Sequence, residues 1–365
     1  MLFVVIISIL ITHATIVGHW LYHFIRLSVI QENHLHSKAG EFEIEPLTVV
    51  VACKNEAHRL ADFIKGLENQ ATLPAEIIVV DDNSTDSTLQ VARQLAQQGK
   101  VKISVIVNKG SGKKAAIRTG IQNSQTKWVI TTDADVLCPE KWLESMGRSI
   151  AELSDGGIGA IAGPVRIMNG GIESIDYAAM MGWAASTSLH GETAMASAAN
   201  LAFRVDLYPR KEQMHPEIES GDDVFAVHAI IENGHKVCWS HEINSCVETH
   251  QAGGFVHWLR QRVRWASKAK YYNHNDALRT SMWVAFMAAT QILILMLFVT
   301  RFASFTEVLM LWFGRALIDI VFTKRVTKWY RIRTRAIDWL ILSIIYPFQV
   351  PAVFIFGLIN KPKWK

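Results

Sequence analysis

The sequence predicts an α/β fold with a mostly parallel sheet, flanked by transmembrane and interfacial helices. Short β-branched runs alternate with stretches of helical spacing through the middle of the chain, which is the pattern of parallel strands joined by crossover helices. Long apolar segments lie towards both ends. Only 19% of the 365 residues are charged, against roughly a quarter in ordinary soluble domains. This composition excludes a disordered chain and favours one that lies partly in a bilayer.

Residues 1–26 are predicted to form an N-terminal transmembrane anchor. The segment from Leu2 to Ile25 contains no Asp, Glu, Lys or Arg. At about 1.5 Å per residue it is long enough to cross a hydrocarbon core of about 30 Å. A cleaved signal peptide is the alternative, but the run is too long, no basic segment precedes it and no small-residue cleavage site ends it. Because Arg26 follows directly, the positive-inside rule predicts that the next residues lie in the cytosol.

The middle of the chain, residues 45–275, is predicted to be a water-exposed α/β domain. Its strands are unbroken apolar runs, which is typical of a sheet covered by helices on both faces. In such sheets ligands bind at the carboxyl ends of the strands. Neither a GxGxxG element nor a complete Walker A loop is present, which disfavours NAD enzymes and P-loop NTPases. The predicted strands are 48–52, 77–80, 101–107 and 128–132, and the predicted helices are 57–70, 87–98 and 114–123.

Two pairs of carboxylates in this domain are candidates for holding a cation or for acting as a base. Asp133 and Asp135 come just after a strand, and two carboxylates that close together repel each other unless a cation joins them. Mg²⁺ is commonly held by one or two carboxylates plus substrate phosphates; a solvated turn is the alternative. Asp222 and Asp223 precede an apolar helical run. A helix N-cap is one interpretation of these aspartates and suits Asp222, and a general base is the more specific interpretation of Asp223.

Residues 255–270 are predicted to form a basic interfacial helix. The stretch FVHWLRQRVRWASKAK carries five Lys or Arg residues and no acid, with apolar residues interleaved. This pattern is typical of an amphipathic helix at a membrane surface. The arginine fork also suits a diphosphate, and tryptophan stacks on sugar rings. The net charge of +4 is too small to argue for nucleic acid, and no such partner is expected.

The C-terminal part, residues 281–358, is predicted to be a membrane bundle. Residues 281–300 form a clean span, and residues 303–322 form a second span that contains Glu307, Arg315 and Asp319. Arg315 and Asp319 are four residues apart and are expected to pair on one helix face. Residues 339–358 form either a third span or a re-entrant hairpin. We favour the re-entrant turn because Pro347 and Pro351 each remove a helical hydrogen bond.

From about Leu47 to Lys270, the order of motifs resembles the membrane-bound members of glycosyltransferase family 2, which have a GT-A fold. The matching elements are KNEA, DDNS, GKKAAI, DAD, GDD and QRVRW, which begin at residues 54, 81, 112, 133, 221 and 261. Two positions depart from the family pattern. Asp222 replaces a glutamate that is common in cellulose synthases, and Ala198 and Ala199 stand where relatives often have a glycine beside the acceptor.

The resemblance implies a role for each motif. It implies a UDP-sugar donor, and Mg²⁺ or Mn²⁺ as the cofactor. Asp223 would be the catalytic base. The remaining roles are nucleotide binding by Asn55, Glu56, Asp81, Asp82, Lys113 and Asp133, metal binding by Asp133 and Asp135, and contacts to the diphosphate or acceptor by Gln261, Arg262, Arg264 and Trp265.

The reaction that the resemblance implies is inverting transfer of a sugar to a hydroxyl of a membrane lipid or a growing glycan, forming a β-glycosidic bond. The location it implies is a bacterial inner membrane, with the catalytic domain in the cytosol. One alternative is a processive exopolysaccharide synthase, which would need an accessory membrane subunit because three or four crossings are too few to enclose a polysaccharide path. A non-catalytic membrane sensor of sugar nucleotides is disfavoured, because the carboxylates of all three acidic motifs are present.

Overall fold

The computed structural model describes residues 1–37, 43–153, 157–272 and 274–359. The chain divides into two units. Within the described residues, the sheet unit lies in 27–166 and 187–250, and the helical unit lies in 1–26, 167–186 and 251–359. The strands are β1 Leu47–Cys53, β2 Glu76–Asp81, β3 Ile103–Val107, β4 Trp128–Thr132, β5 Ile158–Ala162, β6 Val165–Ile167, β7 Leu201–Arg204, β8 Lys236–Trp239 and β9 Val247–Thr249. The helices are α1 Leu2–Ser37, α2 Leu60–Glu68, α3 Thr88–Gln98, α4 Lys113–Asn123, α5 Trp142–Leu153, α6 Gly171–Thr187, α7 Val224–Glu232, α8 Phe255–Ala266, α9 Asn275–Val299, α10 Phe305–Trp329 and α11 Ala336–Ile359.

The central sheet has seven strands in the order β3-β2-β1-β4-β7-β5-β8. Strands β3, β2, β1 and β4 run parallel to one another, as do β5 and β8, and β7 pairs antiparallel with both β4 and β5. This arrangement confirms the mostly parallel sheet and the four strands predicted from the sequence. A separate two-stranded sheet pairs β6 with β9.

The register of β1 and β2 brings the polar residues after them to one edge. Cys53 at the end of β1 lies opposite Asp81 at the end of β2, so both strands stop at the same level. Both strands are buried along their whole length, which explains their continuous apolar sequence. Helix α4 packs closely on β1, because a Cβ added to Gly120 would lie 2.4 Å from Val50 Cγ1.

Three helices in the described part of the chain are long and apolar enough to cross a membrane. They span residues 2–30, 275–299 and 336–359. The predicted span at 303–322 is helical within α10 but is not one of the three, because of its charged side chains. The predicted Arg315–Asp319 pair forms, with Nε 3.1 Å from Oδ2, and Asp319 Oδ1 also lies 2.9 Å from His13 Nε2 of α1.

Helix α11 runs without interruption from Ala336 to Ile359, with Pro347 and Pro351 inside it. The re-entrant turn favoured from the sequence is therefore wrong. The two prolines are four residues apart, so the missing N–H groups fall on one side of the helix. The backbone hydrogen bonds of the other sides continue past them.

Candidate active site

Asp82 joins the loops that follow β1, β2 and β3. Its N–H donates to the Cys53 carbonyl oxygen over 2.8 Å. Its buried carboxylate accepts from Asn108 Nδ2 at 2.6 Å and from the N–H of Gly112 at 3.0 Å, just before α4 begins. Lys54 Nζ lies 3.7 Å from the same carboxylate. Asp82 therefore orders the carboxyl edge of the parallel strands.

Asp81 has a buried acceptor oxygen that forms no hydrogen bond with the described residues. Its Oδ2 accepts from the N–H of Ser84 at 3.2 Å. Its Oδ1 is buried and accepts no hydrogen bond from the described residues. A buried acceptor without a donor costs free energy, on the order of 1–3 kcal/mol. An N–H group of a ligand would remove that cost.

Asn55 and Glu56 connect the loop after β1 to the loop after β2. Asn55 has a left-handed backbone, with φ of 59°. Its Oδ1 accepts from the N–H of Thr85 at 2.8 Å, and its own N–H donates to Ser84 Oγ at 3.0 Å. The N–H of Glu56 donates to Thr88 Oγ1 at 2.8 Å. The amide of Asn55 thus shapes the loops, in addition to the nucleotide contact that the resemblance implies.

Lys113, the first residue of α4, brings two acidic motifs together. Its Nζ lies 2.6 Å from Asp133 Oδ1 and 3.2 Å from Asp222 Oδ2. Burial alone would lower the pKa of Lys113, but the carboxylates of Asp133 and Asp222 outweigh it and raise the pKa above its usual value. The ammonium group therefore stays charged. Gly112, with φ of 87°, supplies the left-handed turn before this lysine.

Arg59 is a site residue that the sequence did not reveal. Its Nη1 lies 3.6 Å from Asp135 Oδ2, and its Nε lies 3.2 Å from Glu56 Oε2. The sequence signal for Arg59 was weak, because Arg59 belongs to no motif. Its spacing of three residues from Glu56 was the one indication. Each of the two aspartates of the DAD motif therefore lies beside a cation: Asp133 beside Lys113 and Asp135 beside Arg59.

Asp133 and Asp135 fit one type of metal site. Each side chain is about one-third exposed, at 33% and 32%. No cluster of three or more His, Cys, Asp or Glu residues that could hold a metal occurs in the described ranges. The chain alone therefore offers two carboxylates at an open edge. These suit a hard divalent cation that takes its other oxygens from water and from substrate phosphates.

The helix cap before α7 is Asp223 and not Asp222, which corrects the expectation from the sequence. Asp223 Oδ1 accepts from the N–H of Val224 at 2.7 Å. Asp222 is instead buried and held by Lys113. Gly221, with φ of 93°, makes the left-handed turn directly before the two aspartates. Asp223 therefore combines the cap with the base role that the resemblance implies.

The QRVRW motif lies on α8, in the helical unit. A helix forms from Phe255 to Ala266 within the predicted range, and a short 3-10 turn follows at 269–271. The location of this helix at a membrane surface stays a prediction. Arg262 is buried and pairs with Asp176 of α6, and its Cζ lies 4.5 Å from the centroid of the Trp265 ring. Gln261, Arg264 and Trp265 are half-buried. The other predicted site residues belong to the sheet unit.

Parts of this chain are similar in sequence to known proteins. Residues 48–181 match the family model described as glycosyl transferase family 2. Glycosyltransferase AglE of Haloferax volcanii is 26% identical over 223 residues, which are 60% of this chain and 71% of that protein. The poly-beta-1,6-N-acetyl-D-glucosamine synthase of Staphylococcus aureus is 28% identical over 145 residues, 38% of this chain and 34% of that protein. This chain thus aligns with about a third of the length of the synthase.

A solved structure has a similar fold over nearly the whole chain. The mannosyltransferase PcManGT from Pyrobaculum calidifontis, in complex with GDP-Man and Mn²⁺, superposes with a TM-score of 0.50. The superposition covers 98% of each chain, and the sequences are 16% identical. This similarity supports the GT-A fold.

Proposed function

We propose that this chain, which carries a glycosyl transferase family 2 domain at residues 48–181, is an inverting membrane glycosyltransferase. It moves a sugar from a UDP-sugar to a hydroxyl of a membrane-associated acceptor and forms a β-glycosidic bond. The observation that carries the proposal is the contact of Lys113 with both Asp133 and Asp222. This contact gathers a cation, a candidate metal-binding pair and the neighbour of a candidate base at one edge of a parallel sheet.

The nucleoside is assigned to the loops after β1 and β2. Uracil presents an N–H at its N3 position, and Asp81 Oδ1 is a buried acceptor that receives no hydrogen bond from the part of the chain that the structure describes. Asp82, Asn55 and Glu56 hold the loops around it. These residues bind and orient the donor.

The departing nucleoside diphosphate is assigned to Lys113 and the DAD motif. Lys113 provides a fixed positive charge. A divalent cation, Mg²⁺ or Mn²⁺, held by Asp133 and Asp135 would offset further negative charge on the leaving group. On the strength of the motif, Gln261, Arg262, Arg264 and Trp265 of α8 are assigned to the diphosphate or the acceptor, Arg264 to the diphosphate and Arg262 with Trp265 to the acceptor.

Asp223 is assigned as the general base. Its carboxylate removes the proton of the acceptor hydroxyl as the oxygen attacks the anomeric carbon from the face opposite the diphosphate. An α-linked donor then gives a β-linked product. The cap to Val224 holds one oxygen of the carboxylate in a fixed direction, which favours the base role.

The acceptor is assigned to the membrane, either a lipid or a growing glycan. The three helices that are long and apolar enough to cross a bilayer support a membrane location, for which we propose the inner membrane with the sheet unit in the cytosol. The name of the staphylococcal relative favours a glycan acceptor. A processive synthase with an accessory membrane subunit is therefore the second candidate, and a non-catalytic sensor of sugar nucleotides is the candidate of another class.

Product analysis tests the proposal. Membranes that contain the chain are incubated with a panel of radiolabelled UDP-sugars and with GDP-mannose, and organic extraction separates labelled lipid from labelled polymer. We expect one UDP-sugar to label an acceptor in a manner that depends on this chain. Label in polymer would select the processive synthase. Binding of nucleotide sugar without turnover would select the sensor and refute the transferase.

A further inference from the structure

One face of α6 lies along the QRVRW motif of α8. Glu173, Asp176, Tyr177 and Met180 have the spacing of a single helix stripe. Asp176 forms an ion pair with Arg262, and Met180 Sδ lies 3.6 Å from Arg262 Nη1. The Tyr177 ring centroid lies 5.8 Å from that of Trp265. This stripe therefore contacts both an arginine and the tryptophan of the motif.

In this contact the positive charge of Arg262 is paired with the negative charge of Asp176. Its side chain is 9% exposed and that of Asp176 is 12% exposed. Burying two charges costs desolvation free energy that their attraction often fails to recover, so such a pair is weak evidence for a stabilising role. The Arg262 guanidinium also lies over the Trp265 ring, at 4.5 Å from its centroid. The ion pair with Asp176 therefore holds the Arg262 guanidinium in place against the Trp265 ring.

The second arginine of the motif differs from Arg262. Arg264 is half-buried, and no ion pair to it is present in the described part of the chain. The guanidinium of Arg264 is therefore free to meet an anionic substrate group, whereas that of Arg262 is neutralised by Asp176. Arg262 and Arg264 therefore have different roles.

We propose that Asp176 is a positioning residue for acceptor recognition, acting through Arg262 on Trp265. The inference rests on the proposed function, because it takes Trp265 as the surface on which the acceptor sugar stacks. Asp176 holds the Arg262 guanidinium, the guanidinium holds the plane of the indole, and the indole presents a fixed face to the acceptor. Loss of Asp176 impairs use of the acceptor and leaves donor binding intact.

The test compares transfer and donor binding in the same variants of the full chain. Transfer is measured in native membranes at saturating UDP-sugar, and UDP binding is measured by calorimetry on the purified protein. We expect Asp176→Asn to lower transfer by about tenfold to a hundredfold, as a small misplacement of a substrate-positioning group does. UDP affinity stays unchanged. Asp176→Glu recovers part of the rate, and Trp265→Ala reproduces the same separation of rate from UDP affinity.

Two further variants keep the test decisive. Asp206→Asn, which removes the exposed partner of Arg204, is the matched control and is expected to transfer at the wild-type rate. The double variant Asp176→Leu/Arg262→Met replaces the pair by apolar side chains, which commonly preserves folding. It is expected to fold and to transfer slowly.

Three outcomes refute the inference. They are a wild-type transfer rate in Asp176→Asn, a wild-type rate in the apolar double variant, and a loss of UDP affinity in step with the loss of rate. If wild-type membranes transfer no sugar from any nucleotide sugar, the proposed function fails, and the acceptor role of Asp176 fails with it. A normal wild-type rate combined with unaffected variants refutes the role of Asp176 alone.

Discussion

Lys113 Nζ lies 2.6 Å from Asp133 Oδ1, so the first residue of α4 forms an ion pair with the first aspartate after β4. The same ammonium group lies 3.2 Å from Asp222 Oδ2. One cation therefore forms ion pairs with carboxylates from two distant parts of the sequence. This edge of the sheet therefore already holds a cation in contact with negative groups before any substrate binds.

Replacing Lys113 tests what its charge contributes to stability and to sugar transfer. We expect Lys113→Met to lower the free energy of unfolding by about 1–3 kcal/mol, because the buried carboxylate of Asp222 loses its ion pair with Lys113. Sugar transfer falls as well, because the diphosphate loses a positive charge. Denaturant unfolding and transfer assays measure the two effects. Lys109→Met, at an exposed lysine before the same helix, is the control; equal losses in both variants would contradict the assignment.

Removal of divalent metal tests the DAD motif. The carboxylates of Asp133 and Asp135 repel the negative charge of a diphosphate unless a cation lies between them, so transfer is expected to require Mg²⁺ or Mn²⁺. Chelation should abolish transfer, and either cation added in excess should restore it. Full activity in excess EDTA would show that Asp133 and Asp135 hold no metal that the reaction needs.

Asp223→Asn separates the cap from the base. Asparagine retains a side-chain oxygen for the N–H of Val224, so α7 keeps its cap and the protein keeps its stability. The base is lost, and we expect the transfer rate to fall by about 10²–10⁴-fold while UDP binding persists. Rates and UDP affinities of the purified variant measure this. A variant that kept more than about a tenth of the wild-type rate would restrict Asp223 to the cap.

Much of the parallel sheet was predictable because its strands are unbroken apolar runs. Trp128–Thr132 was predicted to the residue, whereas the antiparallel strand Leu201–Arg204 was not predicted. Four residues are too few to show a periodicity. The helix through Pro347 was mispredicted because a propensity argument ignores the hydrogen bonds that remain on the other sides of the helix.

The motifs of the site were predictable, and their contacts were not. Asp133 and Asp222 are far apart in sequence, and no spacing rule connects either of them to Lys113. Asp176 was missed because it stands in a largely apolar helix, outside any motif. An aspartate in such a helix is itself a signal, because aspartate is rarely buried without a partner.

A pair of glycine substitutions tests the packing of α4 on β1. A Cβ on Gly120 would lie 2.4 Å from Val50 Cγ1, so Gly120→Ala should destabilise the protein by about 1–3 kcal/mol through overpacking. Gly66 is also in a helix and has nothing within 4 Å of an added Cβ. Gly66→Ala should therefore be neutral or stabilise the protein by up to about 1 kcal/mol. Denaturant unfolding measures both. Equal effects would contradict this packing.

The most direct measurement for the central claim is calorimetric binding of UDP to the purified full chain in the presence of Mn²⁺, because it needs no acceptor. We predict saturable binding that Asp81→Asn weakens by about tenfold to a hundredfold, since the buried acceptor for the N–H of uracil is altered. Asp62→Asn, at an exposed aspartate of α2, should bind UDP as the wild type does. Absence of UDP binding, or equal affinity in Asp81→Asn and the wild type, would contradict the assignment of this sheet edge to a nucleotide-sugar donor.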